Sequence, residues 1–205
     1  MKQLVEVYKG LSFLFTQTKL TVISIEKCLL NSEYLNEIQF DEEFYNKTTF
    51  SNSVRGLLSN YSVIQFCSFL DEYKNFNHTL TENENLKARI RKVRNKNKYG
   101  LKRVNRWTNL FDIRNQLLAH NFQIKNKSFF DNEENKVFEY SFPDSLNEKL
   151  VFLKIMEKIC LNIIEEFDEI LLISNIAEYK MSEHIKINKG IIDLESEMTE
   201  IEKQM

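Results

Sequence analysis

This chain contains very little that would interrupt a helix. Its 205 residues include one proline, Pro143, and four glycines, the residue types that most strongly break or end helices. Between them, apolar residues recur at three- and four-residue intervals, the spacing of one face of an α-helix. Hydrophobic residues make up 42% of the chain, enough for one buried core. The sequence therefore predicts an all-α fold, with one helical domain at 1–180 and an amphipathic helical extension at 181–205.

Three of the predicted helices have a start or stop signal beside their apolar stripe. The predicted helices are 2–31, as one helix or two; 51–76, capped by Ser51 or Ser53; 82–98, with a Thr81–Glu84 capping box and a stop at Gly100; 102–121; and 143–180, opening on Pro143 and Asp144. Before the last of these, Phe138, Tyr140 and Phe142 alternate with other residues. This alternation predicts a small β-hairpin or loop excursion at about 123–143.

A strongly basic segment precedes the helix at 102–121. From Lys87 to Arg106 the chain has ten basic residues and no acidic ones, although its overall net charge is −2. Such a cluster is typical of a surface that binds phosphate groups, and an ordinary solvated face is the alternative. Tyr99 and Trp107 can stack on bases, or Trp107 can lie in the core. The residues we expect to contact RNA are Lys102, Arg103, Arg106, Arg91 and Arg94.

Arg114 and His120 stand out within the stretch RNQLLAHNF at 114–122. Helical spacing places Arg114 between Trp107 and Leu117 on an apolar face, where an unpaired charge would be costly. His120 lies about 9 Å further along the axis, at the edge of the same face. A permanently charged guanidinium suits a phosphate, and an imidazole that titrates near neutrality suits proton transfer with a hydroxyl. The pair predicts a site for RNA, which offers a phosphate and a neighbouring 2′-OH.

The sequence predicts neither a metal ion nor a cofactor. Its three histidines and three cysteines are scattered, and no two of them lie at metal-ligand spacing. Three cysteines without a pattern fit a reducing compartment. Charged residues interrupt the first thirty positions, so no signal peptide is expected, and no apolar stretch is long enough to span a membrane. We therefore expect a cytoplasmic protein that does not act on membranes.

The arrangement of Arg114, Asn115 and His120 resembles the motif of HEPN proteins, in which an arginine and an adjacent polar residue precede a histidine by four to six residues. The resemblance covers about 50–176, and the run LLAHN is similar to the abortive-infection branch. It implies a helical bundle that forms a homodimer, with the motif helices facing each other across a two-fold axis. It also implies a metal-independent endoribonuclease of a defence or toxin–antitoxin system, with an antitoxin as a protein partner.

The same resemblance implies a role for each motif residue. His120 would act as the acid or base at the ribose-phosphate, and cleavage through 2′-OH attack would leave a 2′,3′-cyclic phosphate. Arg114 would hold the phosphate, and Asn115 would orient the pair or bind RNA. The chain departs from some family toxins at Phe122, where those toxins carry a tyrosine that a nucleotidyltransferase antitoxin modifies. Inactivation by that modification is therefore not expected here.

Two other interpretations remain open. Arg114 can pair with a core carboxylate on the preceding helix, Asp71 or Glu72, while His120 caps or packs. The chain would then be a non-catalytic helical module that binds RNA or a cognate protein through its basic face, or a purely structural bundle. An open cleft that holds Arg114 and His120 of two copies would favour catalysis. Pairing of Arg114 with either carboxylate would favour the binding module.

The C-terminal tail has the spacing of a coiled coil. Apolar residues at 187–205 alternate four- and three-residue steps, and the flanking positions include Glu195, Glu197 and Glu202. Two identical copies would repel each other at these flanking positions. We therefore expect a basic partner surface, either the chain's own 82–98 helix or a different protein, with ordinary packing on the bundle as the alternative.

Overall fold

Six helices account for most of the chain that the structure, a computed structural model, describes: residues 1–36, 50–79, 81–118, 123–124, 127–128 and 141–171. The helices are α1 (Lys2–Leu30), α2 (Ser32–Asn36), α3 (Phe50–Asn77), α4 (Glu84–Val104), α5 (Leu110–Leu118) and α6 (Leu146–Glu166), with two short strands, β1 (Gln123–Ile124) and β2 (Lys127–Ser128). The prediction of an all-α protein is confirmed. Within these ranges, no helix is long and apolar enough to cross a membrane.

The core lies between α1, α3 and α6, and its centre is aromatic. Phe66 of α3 stacks on Phe152 of α6 with ring centroids 4.1 Å apart, and Trp107 stacks on the same ring at 5.3 Å. All three side chains are buried, and each contributes about 1.5–3 kcal/mol or more through burial of apolar surface. Trp107 is therefore a core residue that fixes the chain between α4 and α5, and it is not a platform for bases.

The ends of α4 differ from the prediction. The N-cap is Asn83, whose Oδ1 accepts a hydrogen bond from the backbone N of Leu86, so the predicted Thr81–Glu84 capping box is wrong. The predicted stop at Gly100 is also wrong, because the helix continues past this glycine. A Cβ at Gly100 would lie 3.1 Å from Cγ2 of Ile155 in α6. The glycine therefore permits close approach of two helices and does not end one.

The predicted start of a helix at 102 is wrong: α4 continues to Val104, a turn follows, and α5 begins at Leu110, while 119–121 lie outside the described residues. The turn is stabilised by the backbone N of Trp107, which donates to the carbonyl of Val104 at 2.9 Å. Asn109 then pairs with Ser141: its backbone N donates to the Ser141 carbonyl, and its side-chain oxygen accepts from the Ser141 N, both at 3.0 Å. This long-range pairing, which a local pattern does not reveal, sets where α5 begins.

The start of α6 is fixed by a capping box and a buried lysine. Ser145 is the N-cap, and its hydroxyl and the Glu148 carboxylate each accept a hydrogen bond from the other's backbone N; the predicted opening at Pro143 and Asp144 is two residues early. Lys149 is 1% exposed and donates to the carbonyls of Pro143 and Asp144. Burial lowers the pKa of Lys149. Its ammonium satisfies two carbonyls that precede the helix.

The predicted helix to about 180 is interrupted after Glu166, and residues 169–171 are helical again, while the residues beyond 171 lie outside the described part of the chain. Phe167 leaves the helix with φ −130° and ψ 58°, and its buried ring packs edge-on against Phe76 of α3 at 6.1 Å. Phe167 therefore interrupts the helix at a point where the apolar stripe alone indicates continuation. The predicted extension at 181–205 lies outside the described residues.

Strands β1 and β2 pair antiparallel, with Gln123 opposite Ser128 and Ile124 opposite Lys127. They fall in the first part of the predicted excursion at 123–143. Residues 129–140 lie outside the described part of the chain, so the hairpin expected there stays a prediction. The excursion leaves the end of α5 and returns at Ser141, beside the start of α5.

The capping box of α6 gives a first testable prediction. Ser145→Ala removes the acceptor for the Glu148 backbone N, so we expect the free energy of unfolding to fall by about 1 kcal/mol. Urea denaturation followed by circular dichroism measures the change. Ser24→Ala, at an exposed position inside α1, is the control and should change stability by less than about 0.5 kcal/mol. Equal effects of the two changes would show that the box does not stabilise α6.

Candidate nucleic-acid interface

The basic helix α4 is divided into faces by what it packs against. It runs antiparallel to α6, because Arg89 near its start contacts Glu169 beyond the end of α6, while Asn97 contacts Asn162 further back. Most of its basic residues lie on two sides of the helix: one side faces the acidic end of α6, and the other lies beside α3. The side chains that α4 buries are uncharged: Ile90, Val93, Asn97 and Val104.

Arg89 is the main link between α4 and the end of α6. Its Nη1 and Nη2 donate to the two carboxylate oxygens of Glu169 at 2.7 and 2.9 Å, and Nη2 also donates to the carbonyl of Glu166. The guanidinium carbon lies 4.3 Å from the ring centroid of Phe167. A bidentate pair combined with ring stacking uses the planar guanidinium in a way that lysine cannot reproduce. Arg89 is therefore structural rather than available to a ligand.

Two further cations of α4 are neutralised at the same end of α6. Lys92 lies 2.7 Å from a carboxylate oxygen of Glu166, and Lys96 lies 3.1 Å from Glu165. The Glu166 side chain is only 10% exposed, so its pairing is less screened by water than a surface ion pair. We call Arg89, Lys92, Lys96 and the three glutamates the acidic clamp.

A cleft of about 700 Å³ lies on the other side of α4, against the C-terminal end of α3. No carboxylate lines it, and among the described residues none forms an ion pair with its basic side chains. The basic side chains of the cleft are Arg91, Arg94, Lys98 and Lys102. The first and the last of them are separated by about 16.5 Å along the helix axis. The cleft is therefore an elongated site of uncompensated positive charge.

The floor of the cleft is held by buried hydrogen bonds. Asn97 Nδ2 donates to the Tyr73 hydroxyl at 3.0 Å, and Asn162 Nδ2 donates to Asn97 Oδ1 at 2.6 Å, which connects α3, α4 and α6. Tyr73 is 2% exposed and lines the cleft with Leu101. Asn77, also in the lining, has a buried Oδ1 without a hydrogen-bond partner. The floor of the cleft thus contains the side chains of Tyr73 and Leu101, and the Asn77 side-chain oxygen there can still accept a hydrogen bond. The basic side chains lie around this floor.

Arg114 lies on α5 where this helix contacts α3. Its Nη1 donates to Asp71 Oδ2 at 2.6 Å, and its Nε and Nη2 donate to Asn115 Oδ1 at 3.2 and 3.1 Å. The guanidinium also lies 5.1 Å from the ring centroid of Phe111. The side chain is 23% exposed. Arg114 is thus held at the rim of the core by three neighbours, with part of its surface open to solvent.

The carboxylate of Asp71 is shared by two cations. Lys74 Nζ lies 2.8 Å from its Oδ1, opposite Arg114 on Oδ2. Burial raises the pKa of Asp71, but hydrogen bonds from Lys74 and Arg114 outweigh it, so the pKa lies below its ordinary value. The group of Arg114, Lys74 and Asp71 therefore carries one net positive charge at neutral pH. Glu72 instead accepts from Asn75 at 2.9 Å and is not the partner of Arg114.

The residues predicted to contact RNA do not form one surface. Arg91, Arg94 and Lys102 line the cleft. Arg103 lies over the ring of Trp107, with its guanidinium carbon 4.3 Å from the centroid, and Arg106 is exposed in the turn before α5. His120 lies outside the described residues, so its approach to Arg114 stays a prediction.

Several side chains at these sites were not among the predicted site residues. Lys98 could have been selected from sequence, because Arg94, Lys98 and Lys102 follow one another at four-residue steps on one face. Lys74 lies three residues after Asp71, a spacing at which a lysine reaches a carboxylate on the same helix. Tyr73 and Asn77 gave no such signal, since their place in the cleft depends on how α3 packs against α4.

No group of three or more histidine, cysteine, aspartate or glutamate side chains within the described ranges could hold a metal ion. Comparisons with profiles of protein families, with curated protein sequences and with solved structures find no match. The geometry of the cleft and of the Arg114 group, together with the sequence motif, therefore provides the basis for a proposed function.

The acidic clamp predicts how stability depends on pH. Hydrogen bonds from Arg89 lower the pKa of Glu169 from 4.5 to about 2. Its stabilising contribution is therefore present above pH 4.5 and is lost as the pH falls toward 2. Because Glu169 is one-third exposed, solvent screening limits this contribution to about 1–2 kcal/mol.

Urea denaturation at pH 7 and pH 3 tests this contribution. We expect Glu169→Gln to lower the free energy of unfolding at pH 7. Between pH 7 and pH 3, this variant should then lose less unfolding free energy than the unchanged protein does. Glu165→Gln, which removes a 60% exposed partner of Lys96, is the matched control and should have little effect at either pH. If the free energy of unfolding falls equally between pH 7 and pH 3 with and without Glu169, this carboxylate does not make the pH-dependent contribution.

Proposed function

We propose that this protein binds RNA along the cleft of α4. The observation that carries the proposal is the row of Arg91, Arg94, Lys98 and Lys102, none of which lies within ion-pair distance of a described carboxylate. Arginine and lysine side chains supply most of the affinity of proteins for the phosphate backbone. The pairing of Arg114 with Asp71 supports binding as the primary activity, because part of the motif arginine's capacity is already used.

The shape of the cleft favours a chain of phosphates over a single anion. Four cations along about 16.5 Å of helix cannot all reach one phosphate group, whereas successive phosphates of a strand can each meet one. The floor formed by Tyr73 and Leu101 suits the apolar parts of a nucleotide. Tyr99, on an adjacent part of α4, is 86% exposed and offers a face on which a base can stack.

A purely structural role explains the cleft poorly. Arg94, Lys98 and Lys102 are spaced four residues apart, and each like-charged pair at this spacing destabilises a helix by roughly 0.2–0.5 kcal/mol. The acidic clamp shows that carboxylates of α6 neutralise cations elsewhere on α4. Cations that remain without such partners repel each other, and a polyanionic ligand removes that repulsion.

Neutralising the centre of the cleft tests RNA binding. We expect the double change Arg94→Gln and Lys98→Gln to weaken binding of a fluorescent RNA oligonucleotide and to make the slope of log K against log salt shallower by about 1.4, for two single-strand phosphate contacts. Fluorescence anisotropy over a series of salt concentrations measures both quantities.

The control for this experiment removes two exposed cations of α1, Lys19→Gln and Lys27→Gln. It changes the net charge equally and should leave the salt slope almost unchanged. If the two double variants bind RNA alike, the affinity arises from overall charge and the cleft is not the binding site. If the unchanged protein binds no RNA at low salt, the proposed function is wrong.

As a second candidate, we propose that the protein cleaves RNA without a metal ion, as the HEPN-like motif implies. The observation that favours this activity is the net positive charge of the Arg114 group, where Arg114 and Lys74 share one carboxylate and Asn115 orients the guanidinium. A positioned, partly exposed cation of this kind can bind a phosphate and stabilise the charge that develops on it.

In this mechanism His120 removes the proton from a 2′-OH. The 2′-oxygen attacks the adjacent phosphorus, the bond to the 5′-oxygen breaks, and that oxygen takes up a proton. The products are a 2′,3′-cyclic phosphate and a 5′-hydroxyl. A homodimer that brings two motif helices together, and a protein antitoxin that restrains the activity, belong to this second candidate.

Substitution of His120 tests cleavage. We expect the purified protein to cut RNA in the presence of EDTA, and His120→Ala to slow cutting by about 10²–10⁴-fold, as measured on denaturing gels with a 5′-labelled substrate. RNA binding by His120→Ala should be unchanged, which separates chemistry from affinity. Cutting by His120→Ala at the original rate, or a requirement for a divalent ion, would exclude this mechanism.

A further inference from the structure

The end of the described chain lies beside the basic helix. α6 runs antiparallel to α4, and the bidentate pair with Arg89 holds Glu169, two residues before the last described residue, against the first turns of α4. The sequence continues from there through 172–205. Any segment that follows therefore begins near one end of the row of cations in the cleft.

The last part of this continuation is acidic. Residues 193–205 contain five carboxylate side chains and one lysine, a net charge of −4 from side chains, against four cations in the cleft. The carboxylates are Asp193, Glu195, Glu197, Glu200 and Glu202. No other segment beyond α6 has this charge density. The opposite signs and equal numbers make the two surfaces electrostatically complementary.

We propose that residues 193–205 occupy the cleft of α4 when no RNA is bound. The intervening residues 172–192 reach the cleft without difficulty, since an extended chain of that length spans up to about 70 Å and the row of cations is about 16.5 Å long. The acidic clamp shows that glutamates from the end of α6 already pair with Lys92 and Lys96 on the same helix. The tail extends this pairing to the cations that α6 does not reach.

Occupation of the cleft regulates the proposed RNA binding, and only this regulatory consequence rests on the proposed function. A tail attached to the same chain acts at an effective concentration in the millimolar range. RNA must therefore displace the tail. The apparent affinity of the protein for RNA is the intrinsic affinity multiplied by the fraction of molecules whose cleft is open. Because both contacts are electrostatic, salt weakens the tail contact as well as RNA binding.

The contact itself is tested by photo-cross-linking in the full-length chain. A benzophenone side chain is introduced at Asn95, an exposed and uncharged residue of the cleft lining, and the products are mapped by mass spectrometry after irradiation without RNA. We expect cross-links within one chain to peptides from 193–205, and their loss when RNA or high salt is added. Cross-links only to other segments, only to a second copy of the chain, or to nothing, would overturn the proposal.

Competition is tested with a tail variant in which Glu195, Glu197 and Glu202 are each changed to Gln. We expect its RNA affinity at low salt to rise about fivefold, because a weaker intramolecular competitor opens the cleft. The control variant changes three exposed carboxylates of other segments to Gln: Glu6, Glu33 and Glu82. It alters net charge equally and should change affinity less than twofold.

The two experiments separate the regulatory proposal from the function on which it rests. Equal affinities of the tail variant and the control variant, with binding that still depends on Arg94 and Lys98, would overturn regulation by the tail and leave RNA binding intact. Cross-links to the tail in a protein that binds no RNA would overturn RNA binding and leave the tail contact intact.

Discussion

The positive charge of α4 governs how this bundle is assembled. A helix that carries most of a ten-cation segment can join a core only if its buried face is uncharged and some of its charge is neutralised. α4 meets the first condition with Ile90 and Val93, and the acidic clamp meets the second. The clamp occupies one side of α4, and four of the remaining cations, Arg91, Arg94, Lys98 and Lys102, line the cleft beside α3.

The core holds the two candidate sites in fixed relation to α3. Tyr73 lines the cleft and is bonded to Asn97, while Asp71, on another face of the same helix, holds Arg114. Trp107 is stacked in the core between these regions, and its Nε1 donates to Glu148 in the first turn of α6. One helix, α3, therefore supports both the cationic cleft and the positioned Arg114.

Much of the fold was predictable because helices are specified locally. The near-absence of proline and glycine and the apolar periodicity indicated the helical class and most of α1, α3 and the body of α6. The errors occurred where a distant contact overrides a local signal. Gly100 looked like a stop, yet it lies in α4 where Ile155 approaches; α6 looked continuous, yet Phe167 leaves it to pack against Phe76.

The order of residues along the chain establishes which chemical groups are present: a dense run of cations, and an arginine that needs an anionic partner. Which of these groups stay available to a ligand depends on the packing of the helices. Arg91 and Lys92 are adjacent in sequence, but only Lys92 meets Glu166, whereas Arg91 lines the cleft. The reason is physical, because a charge is neutralised by what lies within a few ångströms of it, and that distance is set by helix packing.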